Sequence, residues 1–272
     1  MERLQKALEL ARAERARKLL AAVPTLAEPL APALMQDTLA FSHTRVASIE
    51  LSVLRANGVM PADASGPAGH AFKMLRTQVL QRLQPRGWNT LAVISPTPGD
   101  GKTFTAINLA IAIAGDTNHT TLLVDFDLRN PSVHQRFGIQ PDIGVEQCLR
   151  GEAAVSAALL NPRGYPKLVL LPARDPVSNS SDLLSSEYTR QLIREVKEGY
   201  PNRVVLFDLP PVLGADDALA FAPQVDAALV VVGEERTQRE DLLRCFEILR
   251  DIPIIGTVLN GSRTDASLAY AY

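Results

Sequence analysis

Residues 89–114 of this 272-residue chain, NTLAVISPTPGDGKTFTAINLAIAIA, contain its clearest structural pattern. The first seven of these residues form a short apolar run typical of a buried strand, and residues 102–114 carry the spacing of a helix. Between them lies a turn that contains Gly99 and Gly101. Glycine lets the backbone fold closely around an anion, so that amide N–H groups and the helix N-terminus point at phosphate oxygens. The order of strand, turn and helix therefore predicts a phosphate-binding loop.

The turn and the first helical residues contain most of a nucleotide-binding pattern. We expect Lys102 to lie over the β- and γ-phosphates and the Thr103 hydroxyl to ligate Mg²⁺. The full pattern has glycine five residues before Gly101, where this chain has Pro96. A glycine-rich turn without a ligand is the simpler interpretation, but the position between a buried strand and a helix favours the nucleotide loop. The loop residues predicted to contact the nucleotide are Pro98, Gly99, Asp100, Gly101, Lys102, Thr103 and Phe104.

The chain after this unit alternates apolar runs with amphipathic segments. Runs that are apolar on successive residues are typical of strands buried on both faces, and helices between such strands indicate a mainly parallel sheet. The predicted strands are TTLLVDF (120–126), KLVLLP (167–172), RVVLFD (203–208), AALVVV (227–232) and IIGTVLN (254–260). The predicted helices are residues 70–84, 181–197 and 237–250. The fold class is therefore an α/β P-loop NTPase with a mainly parallel sheet flanked by helices.

Carboxylates stand where two of these strands end. Asp125 and Asp127 follow the second strand, with Arg129 two residues further on, and Asp208 ends a later strand. Ligands of parallel sheets lie beyond the carboxyl ends of the strands, and a triphosphate requires a divalent ion. A single aspartate after a strand is commonly a helix cap. Three of them beside a phosphate loop predict a site for a metal and a nucleotide.

A dinucleotide dehydrogenase is the rival among the cofactor-binding folds, with Asp125 holding a ribose about 20 residues after a GxGxxG turn. The third glycine of that turn would stand at the position of Phe104. Lys102 within the turn also favours a triphosphate, so the sequence disfavours the dehydrogenase.

The first 67 residues differ in composition from the rest. Residues 1–22 have apolar residues at helical spacing and an excess of basic residues. We interpret them as a partly ordered helical arm in preference to the alternative, a helix that binds a partner or a membrane surface. Residues 23–67 are rich in proline and indicate an extended linker that wraps the core. The predicted domains are therefore an arm and linker over 1–67 and an ATPase domain over 68–272.

Composition excludes several classes of protein. Lys and Arg number 28 against 30 Asp and Glu, so the net charge is 28 − 30 = −2, which argues against a nucleic acid partner. Cys148 and Cys245 form no CxxC, and the four histidines have no ligand spacing, so we expect neither a disulfide framework nor a zinc site. No apolar run is long enough for a membrane span, and the first residues lack a signal peptide's apolar core. We expect a cytoplasmic protein that reaches the membrane through a partner.

Together these residues resemble the bacterial tyrosine kinases, which are P-loop enzymes unrelated to the eukaryotic kinases. The resemblance rests on a phosphate loop with Thr97 where partition-type ATPases have a lysine, on a DxDxR after the second strand, and on DLPP from Asp208. It extends from about residue 44 to residue 260 and is nearest to the stand-alone cytoplasmic kinases encoded with exopolysaccharide loci. Matching strings are LRTQVLQRL (75–83), GWNTLAVISP (87–96), GKTFTAINLAIAIA (101–114), FDLPPVLGADDALAFAP (207–223) and GTVLN (256–260).

The resemblance implies ATP and Mg²⁺ as cofactors and assigns roles to the matching residues. Lys102 and Thr103 match the family's phosphate and Mg²⁺ contacts. Asp125, Asp127 and Asp208 match its acidic triad, of which one or two hold Mg²⁺ directly or through water. Within the triad, Asp125 is the candidate to accept the proton of the attacking tyrosine.

Two further positions follow from the same resemblance. Arg129 is expected to orient the acceptor or to balance the acidic cluster. Asn260 occupies the position that contacts adenine in related nucleotide-binding ATPases.

The family phosphorylates a tyrosine-rich tail on a neighbouring subunit, which implies self-association. The tail of this chain ends in SLAYAY, so the candidate phospho-acceptors are Tyr270 and Tyr272. Surface or packing positions are expected for Tyr165, Tyr188 and Tyr200. The resemblance also implies a membrane polysaccharide co-polymerase as the partner.

The family's oligomerisation helix carries ExxRxxR, with its charges on one face. This chain has His70, Lys73 and Arg76 at those positions. The acidic position is lost, so subunits are expected to associate through other contacts.

Two other functions remain open from the sequence. One is a switch of the partition or septum-positioning type, in which ATP controls dimerisation and no protein is phosphorylated. Thr97 in place of the upstream lysine counts against the switch, whereas the sparse tail counts for it. The other is an interaction module with a degenerate site, which the intact Lys102, Thr103 and aspartates disfavour.

Overall fold

The computed structural model describes residues 44–199 and 202–262. The predicted helix 1–22, Tyr200 and both candidate acceptors, Tyr270 and Tyr272, lie outside the described residues.

An eight-stranded sheet forms the centre of the fold, in the order β1-β4-β5-β3-β6-β2-β7-β8. Every neighbouring pair is parallel except β4 with β5, which is antiparallel. The predicted α/β fold with a mainly parallel sheet is therefore confirmed. The strands are β1 Arg45–Ala47, β2 Thr90–Ile94, β3 Thr120–Asp125, β4 Leu160–Pro162, β5 Leu168–Leu171, β6 Arg203–Asp208, β7 Ala227–Gly233 and β8 Ile254–Asn260.

Ten α-helices lie within the described residues, and most connect successive strands. They are α1 Leu51–Ala56, α2 Gly66–Leu83, α3 Lys102–Ala114, α4 Val133–Phe137, α5 Val145–Leu149, α6 Val155–Ala158, α7 Ser180–Leu184, α8 Glu187–Glu198, α9 Asp217–Phe221 and α10 Arg239–Ile248. The predicted helix over 181–197 is wrong in one respect, because it is divided into α7 and α8. Ser186 caps α8 by accepting a hydrogen bond from the Thr189 N–H at 3.2 Å, so a new helix begins there.

Both faces of the central strands are buried, as their continuous apolar runs predict. Every residue of β2, β3, β5 and β6 is buried. Leu91 and Val93 of β2 belong to one core cluster with residues of α2 and α3. Ala92 and Ile94 point to the opposite face, because side chains alternate along a strand.

Three phenylalanines pack together on that opposite face. The ring centroids of Phe126 and Phe207 lie 5.3 Å apart, and Phe221 lies 4.9 Å from the first and 4.8 Å from the second. All three side chains are fully buried. Phe126 separates Asp125 from Asp127 and Phe207 precedes Asp208, so the cluster fixes the turns that carry the acidic residues.

Residues 44–67, assigned from the sequence to a linker that wraps the core, pack on the sheet where they are described. β1 pairs with β4, and Leu54 and Val59 are buried in the same core cluster as the central strands. The short strand β1 was not predicted from the sequence. The division of the chain at residue 67 stays a prediction.

Asn108 of α3 ties this segment to the domain. Its side chain is 1% exposed, and its Nδ2 donates to the carbonyl oxygens of Gly58 and Phe104 at 3.0 Å each. Its Oδ1 accepts the Met60 N–H at 2.9 Å. The Gly58 carbonyl and the Met60 N–H therefore share one buried amide as their partner.

Among the helices of the described ranges, none combines the length and the apolar character that crossing a bilayer requires.

We predict that Asn108→Ala lowers the free energy of unfolding by roughly 2 to 3 kcal/mol, because each buried partner left unsatisfied costs about 1–3 kcal/mol. Thr77→Ala is the control, since the Thr77 hydroxyl is exposed and bonds only to Lys73 O of its own helix. Urea unfolding of both variants measures the difference. Equal stability of the two variants would contradict the assignment of residues 58–60 to the folded domain.

Candidate functional site

The loop between β2 and α3 has the backbone of an anion-binding turn. Gly99 and Gly101 have φ of +87° and +92°, a region that residues with a side chain rarely adopt. A Cβ built on Gly101 would lie 1.9 Å from Asn260 Nδ2, so only glycine fits there. No side chain caps the N-terminus of α3, and its first turn has no acidic residue. The free N–H groups and the helix dipole therefore favour an anion at this point.

Hydrogen bonds to Asp100 hold the phosphate loop in place. The Asp100 carboxylate is 1% exposed. Its Oδ2 accepts Thr97 N–H and Oγ1–H at 2.9 and 3.0 Å, and its Oδ1 accepts Thr237 Oγ1–H at 2.8 Å. Asn260 Nδ2 donates to Asp100 O at 2.9 Å. The side chains of Asp100 and Asn260, predicted to contact the nucleotide, thus bond to the protein and shape the loop.

Two side chains at the start of α3 contact the acidic residues at the strand ends. Lys102 Nζ donates to Asp127 Oδ2 at 2.6 Å and lies 4.0 Å from Asp208 Oδ1. Thr103 Oγ1 donates to Asp208 Oδ2 at 2.6 Å. The structure therefore brings together four of the residues predicted from the sequence.

Asp125 completes the acidic group from the neighbouring strand. It is paired with Asp208 in the register of β3 and β6. Its Oδ2 accepts the N–H groups of Ser132 and Val133 at 3.0 and 2.9 Å. Within the described ranges, the Oδ1 atoms of Asp125 and Asp208 are buried and accept no hydrogen bond. Two buried carboxylate oxygens without hydrogen bonds, on residues paired across adjacent strands, are suited to a cation.

Burial and mutual repulsion set the electrostatics of this group. Burial raises the pKa of Asp125 well above its usual value, and Asp208 raises it further. Burial also raises the pKa of Asp208, although Lys102 and Thr103 oppose that change. Burial alone would lower the pKa of Lys102, but Asp208 and Asp127 outweigh it and the pKa is raised. Lys102 therefore stays positively charged beside the aspartates.

Arg129 does not join the acidic triad directly. Its Nε donates to Asp217 Oδ2 at 2.7 Å, and its Nη2 donates to Asp216 Oδ1 at 3.3 Å. Asp217 is fully buried at the start of α9, whereas the Arg129 side chain is 39% exposed. Arg129 thus links the turn after β3 to the segment after β6, a pairing that the sequence did not predict.

Two adjoining clefts contain the loop residues. One, of about 530 Å³, is lined by Lys102, Thr103 and Asp127 and also by Pro98, Gly101 and Phe104. The other, of about 400 Å³, is lined by Asp100 and Asn260 together with residues 233–236. Gly99 and Arg236 line both clefts. Asp125 and Asp208 are fully buried and are not among the described residues that line either cleft.

Two arginines at these clefts were not predicted from the sequence. Arg236 lines both and donates from Nη1 to Gly99 O at 3.1 Å. Arg136 of α4 lines the first cleft beside Lys102. Their positions depend on how the chain folds back on the loop, and no local motif contains them.

The side chains of Asp208 and Thr103 are suited to bind Mg²⁺ together with a nucleotide. No group of three Asp, Glu, His or Cys side chains within the described residues converges on one metal position. Mg²⁺ normally takes one or two carboxylates, with phosphate oxygens and waters as the other ligands. The unsatisfied Asp208 Oδ1 and the Thr103 hydroxyl match that requirement, whereas Asp127 is bound to Lys102.

The comparison with protein families agrees with this geometry. The model of the CobQ/CobB/MinD/ParA nucleotide binding domain, CbiA, matches residues 91–270. The chain therefore belongs to this family of nucleotide-binding domains, which confirms the P-loop fold.

More specific similarity is to tyrosine kinases of bacteria. Tyrosine-protein kinase YwqD of Bacillus subtilis is 26% identical over 223 residues, which cover 81% of this chain and 92% of YwqD. Tyrosine-protein kinase ptk of Acinetobacter johnsonii is 27% identical over 193 residues, which cover 70% of this chain and 26% of ptk. Tyrosine-protein kinase etk of Escherichia coli is 28% identical over 214 residues, which cover 78% of this chain and 28% of etk. The chain thus spans only about a quarter of the length of these two relatives. The resemblance stated from the motifs is confirmed.

Solved structures give the same result. The kinase domain of the Escherichia coli tyrosine kinase ETK superposes with a TM-score of 0.68 at 28% identity, covering 75% of this chain and 80% of that one. Cobyrinic acid a,c-diamide synthase of Mycobacterium smegmatis, solved with a bound ATP analogue and magnesium, superposes at 0.52 with 26% identity and covers 67% and 79%. Nucleotide binding is thus a property of the fold.

We predict that Asp125→Asn makes the protein more stable than wild type at neutral pH, with the difference growing as the pH rises. The raised pKa means that folded Asp125 keeps its proton where the unfolded chain, with a pKa of about 3.9, has lost it. Wild-type stability therefore declines as pH rises above that value, and an asparagine avoids the loss.

Urea unfolding in EDTA at several pH values between 4 and 8 tests this. Asp63→Asn, at an exposed position, is the control and should follow the wild type. A difference between Asp125→Asn and wild type that shrinks as the pH rises would contradict the burial argument.

Proposed function

We propose that this protein is an ATP-dependent tyrosine autokinase that regulates exopolysaccharide or capsule production together with a membrane polysaccharide co-polymerase. The observation that carries the proposal is the convergence of Lys102 and Thr103, at the start of α3, on Asp127 and Asp208 at two strand ends. We propose tyrosine as the acceptor because the relatives are named tyrosine-protein kinases. Cytoplasmic location, with attachment to the inner membrane through the partner, belongs to the same proposal.

In the proposed complex, ATP binds with its phosphates over residues 99–103 and its base in the cleft beside Asn260. The free N–H groups of the α3 N-terminus bind phosphate oxygens, and Lys102 exchanges its contact with Asp127 for the β- and γ-phosphates. Asp208, through its unsatisfied Oδ1, and the Thr103 hydroxyl would hold Mg²⁺, which would neutralise developing phosphate charge. The hydrogen bonds around Asp100 hold the loop in this shape, so its backbone need not rearrange when the phosphates bind.

In the transfer step, the bond from the γ-phosphorus to the oxygen shared with the β-phosphate breaks, and ADP leaves with the electron pair. A bond from the tyrosine oxygen to phosphorus forms, and the hydroxyl proton passes to a carboxylate. Asp127 lines the cleft, whereas Asp125 is fully buried and holds two backbone N–H groups. We therefore propose Asp127 as the proton acceptor in place of Asp125, which positions α4.

The acceptor is proposed to be Tyr270 or Tyr272 of a neighbouring subunit. Phosphorylation adds nearly two negative charges to each tyrosine, so an acidic site would repel the modified tail and loosen subunit contacts. Arg76 of α2 donates from Nη1 to Ala112 O of α3 at 3.2 Å, within its own subunit.

The second candidate is an ATP-controlled switch of the partition or septum-positioning type. The family description, which includes MinD and ParA, and the two-tyrosine tail favour it. Against it, Thr97 occupies the place of the upstream lysine and bonds within its own loop to Asp100. The kinase is the better supported function, because the named relatives are tyrosine kinases.

We predict that purified protein with MgATP acquires phosphotyrosine and that Lys102→Ala lowers the rate by about 100-fold or more, since it removes a charged phosphate contact. Tyr270→Phe with Tyr272→Phe should abolish tail modification. Tyr188→Phe, at an exposed tyrosine, is the control and should retain it. Immunoblotting and mass spectrometry measure the sites.

Phosphotyrosine that survives Lys102→Ala would contradict the mechanism, and modification elsewhere in the double variant would move the acceptor. Hydrolysis of ATP without phosphotyrosine, together with ATP-dependent dimers, would support the switch instead.

A further inference from the structure

Arg136 is a cationic side chain of the phosphate cleft to which neither the motifs nor the family resemblance assigns a role. It is half-buried and lines the cleft with Lys102, Thr103 and Asp127. Within the described residues, its guanidinium forms no ion pair and donates no hydrogen bond, although its backbone carbonyl accepts one. Arg129, by contrast, is paired with two aspartates. Arg136 therefore has its hydrogen-bond donors available in the cleft.

The helix that carries Arg136 is fixed at both ends. At its start, Ser132 and Val133 donate their N–H groups to Asp125. At its end, Asn57 Nδ2 donates to the carbonyl oxygens of Gln135 and Arg136 at 3.3 and 3.2 Å. The guanidinium is thus held on a rigid support that is anchored to the acidic group, as preorganised electrostatic catalysis requires.

The negative charge beside the cleft favours a further cation near the phosphates. Asp125, Asp127 and Asp208 all interact electrostatically with Lys102, although only Asp127 lines the cleft, and a triphosphate adds further negative charge. Arg236 also lines the cleft, where its Nη1 donates to Gly99 O. Burial raises the pKa of Asp208, and Lys102, Thr103 and more weakly Arg136 act to lower it, so the guanidinium lies within electrostatic reach of the acidic group. A planar guanidinium matches the geometry of phosphate oxygens.

We propose that Arg136 is a catalytic residue that contacts the γ-phosphoryl group of ATP and stabilises the charge that develops as its bond to the β-phosphate breaks. The proposal rests on the ATP site of the proposed function and does not depend on which acceptor is used. The bonds broken and formed are those given above, and Arg136 neither gains nor loses a proton. Arginine in this role in other phosphoryl-transfer enzymes contributes large factors in rate.

The test uses the full-length chain with Arg136→Ala, Arg136→Lys and the control Arg163→Ala, an exposed arginine of the β4–β5 turn. MgADP affinity reports folding and the α- and β-phosphate contacts. Binding of MgADP with tetrafluoroaluminate reports contacts to the transferred group. Steady-state ATP turnover and phosphotyrosine formation give kcat and KM.

We expect Arg136→Ala to lower kcat for ATP turnover by about 100-fold, with KM and MgADP affinity nearly unchanged and tetrafluoroaluminate capture lost. Arg136→Lys should be intermediate, because an ammonium keeps the charge but not the planar fork. Arg163→Ala should match the wild type in every measurement.

An unchanged kcat in Arg136→Ala would overturn the proposal, as would an equal loss of MgADP affinity. A raised KM for a tyrosine peptide with normal ATP hydrolysis would assign Arg136 to the acceptor instead and would also overturn it. If wild type hydrolyses ATP without forming phosphotyrosine, the kinase function fails while hydrolysis and tetrafluoroaluminate binding still decide the role of Arg136. If wild type binds no nucleotide, both proposals fail.

Discussion

The burial of three carboxylates beside a single ammonium is the constraint on which the site depends. Asp125 and Asp208 are fully buried at the ends of adjacent strands, and Asp127 is almost as deeply buried. Like charges in a poorly solvated place are unfavourable unless cations or hydrogen bonds compensate for them. Lys102 and the Thr103 hydroxyl supply part of that compensation, and a metal ion would supply the rest. The same arrangement that is unfavourable in the protein alone is therefore favourable for binding a cation with a nucleotide.

The rest of the domain keeps these groups in place. The sheet order places β6 between β2 and β3, so the phosphate loop and both acidic turns meet at one edge. Below them, the rings of Phe126, Phe207 and Phe221 pack together, and Arg129 joins the same two segments from the surface. Asp100 fixes the loop on its other side. Charged groups are thus held by contacts that do not involve the ligand, which is the preorganisation that electrostatic catalysis needs.

The sequence predicted those parts of the fold whose signal is local. The central strands are continuous apolar runs, and α3 occupies residues 102–114 as its periodicity indicates. β1 and β4 have three residues each, too few for any periodic pattern, and both depend on pairing with distant segments. The division between α7 and α8 depends on a serine cap that an amphipathic pattern does not reveal.

The same distinction applies to the site. The residues within the GKT, DxDxR and DLPP strings were found because their spacing along the chain defines their positions. The partner of Arg129 lies 88 positions away in the chain, and Arg236 reaches Gly99 across 137. Asp100 was predicted to contact the nucleotide. Its side chain instead accepts a hydrogen bond from the Thr237 hydroxyl, which lies far from the loop in the sequence. No local pattern in the sequence relates Thr237 to the loop.

Calorimetry of ATP binding with and without magnesium shows whether the phosphate loop and the acidic group bind a cation and a nucleotide together. Wild type should bind MgATP, and the affinity should fall at least about tenfold in EDTA or in Thr103→Val, which removes the hydroxyl between the helix and Asp208 while keeping its shape. Affinity that is the same with and without magnesium and in the variant, or no heat on adding MgATP to wild type, would contradict the account.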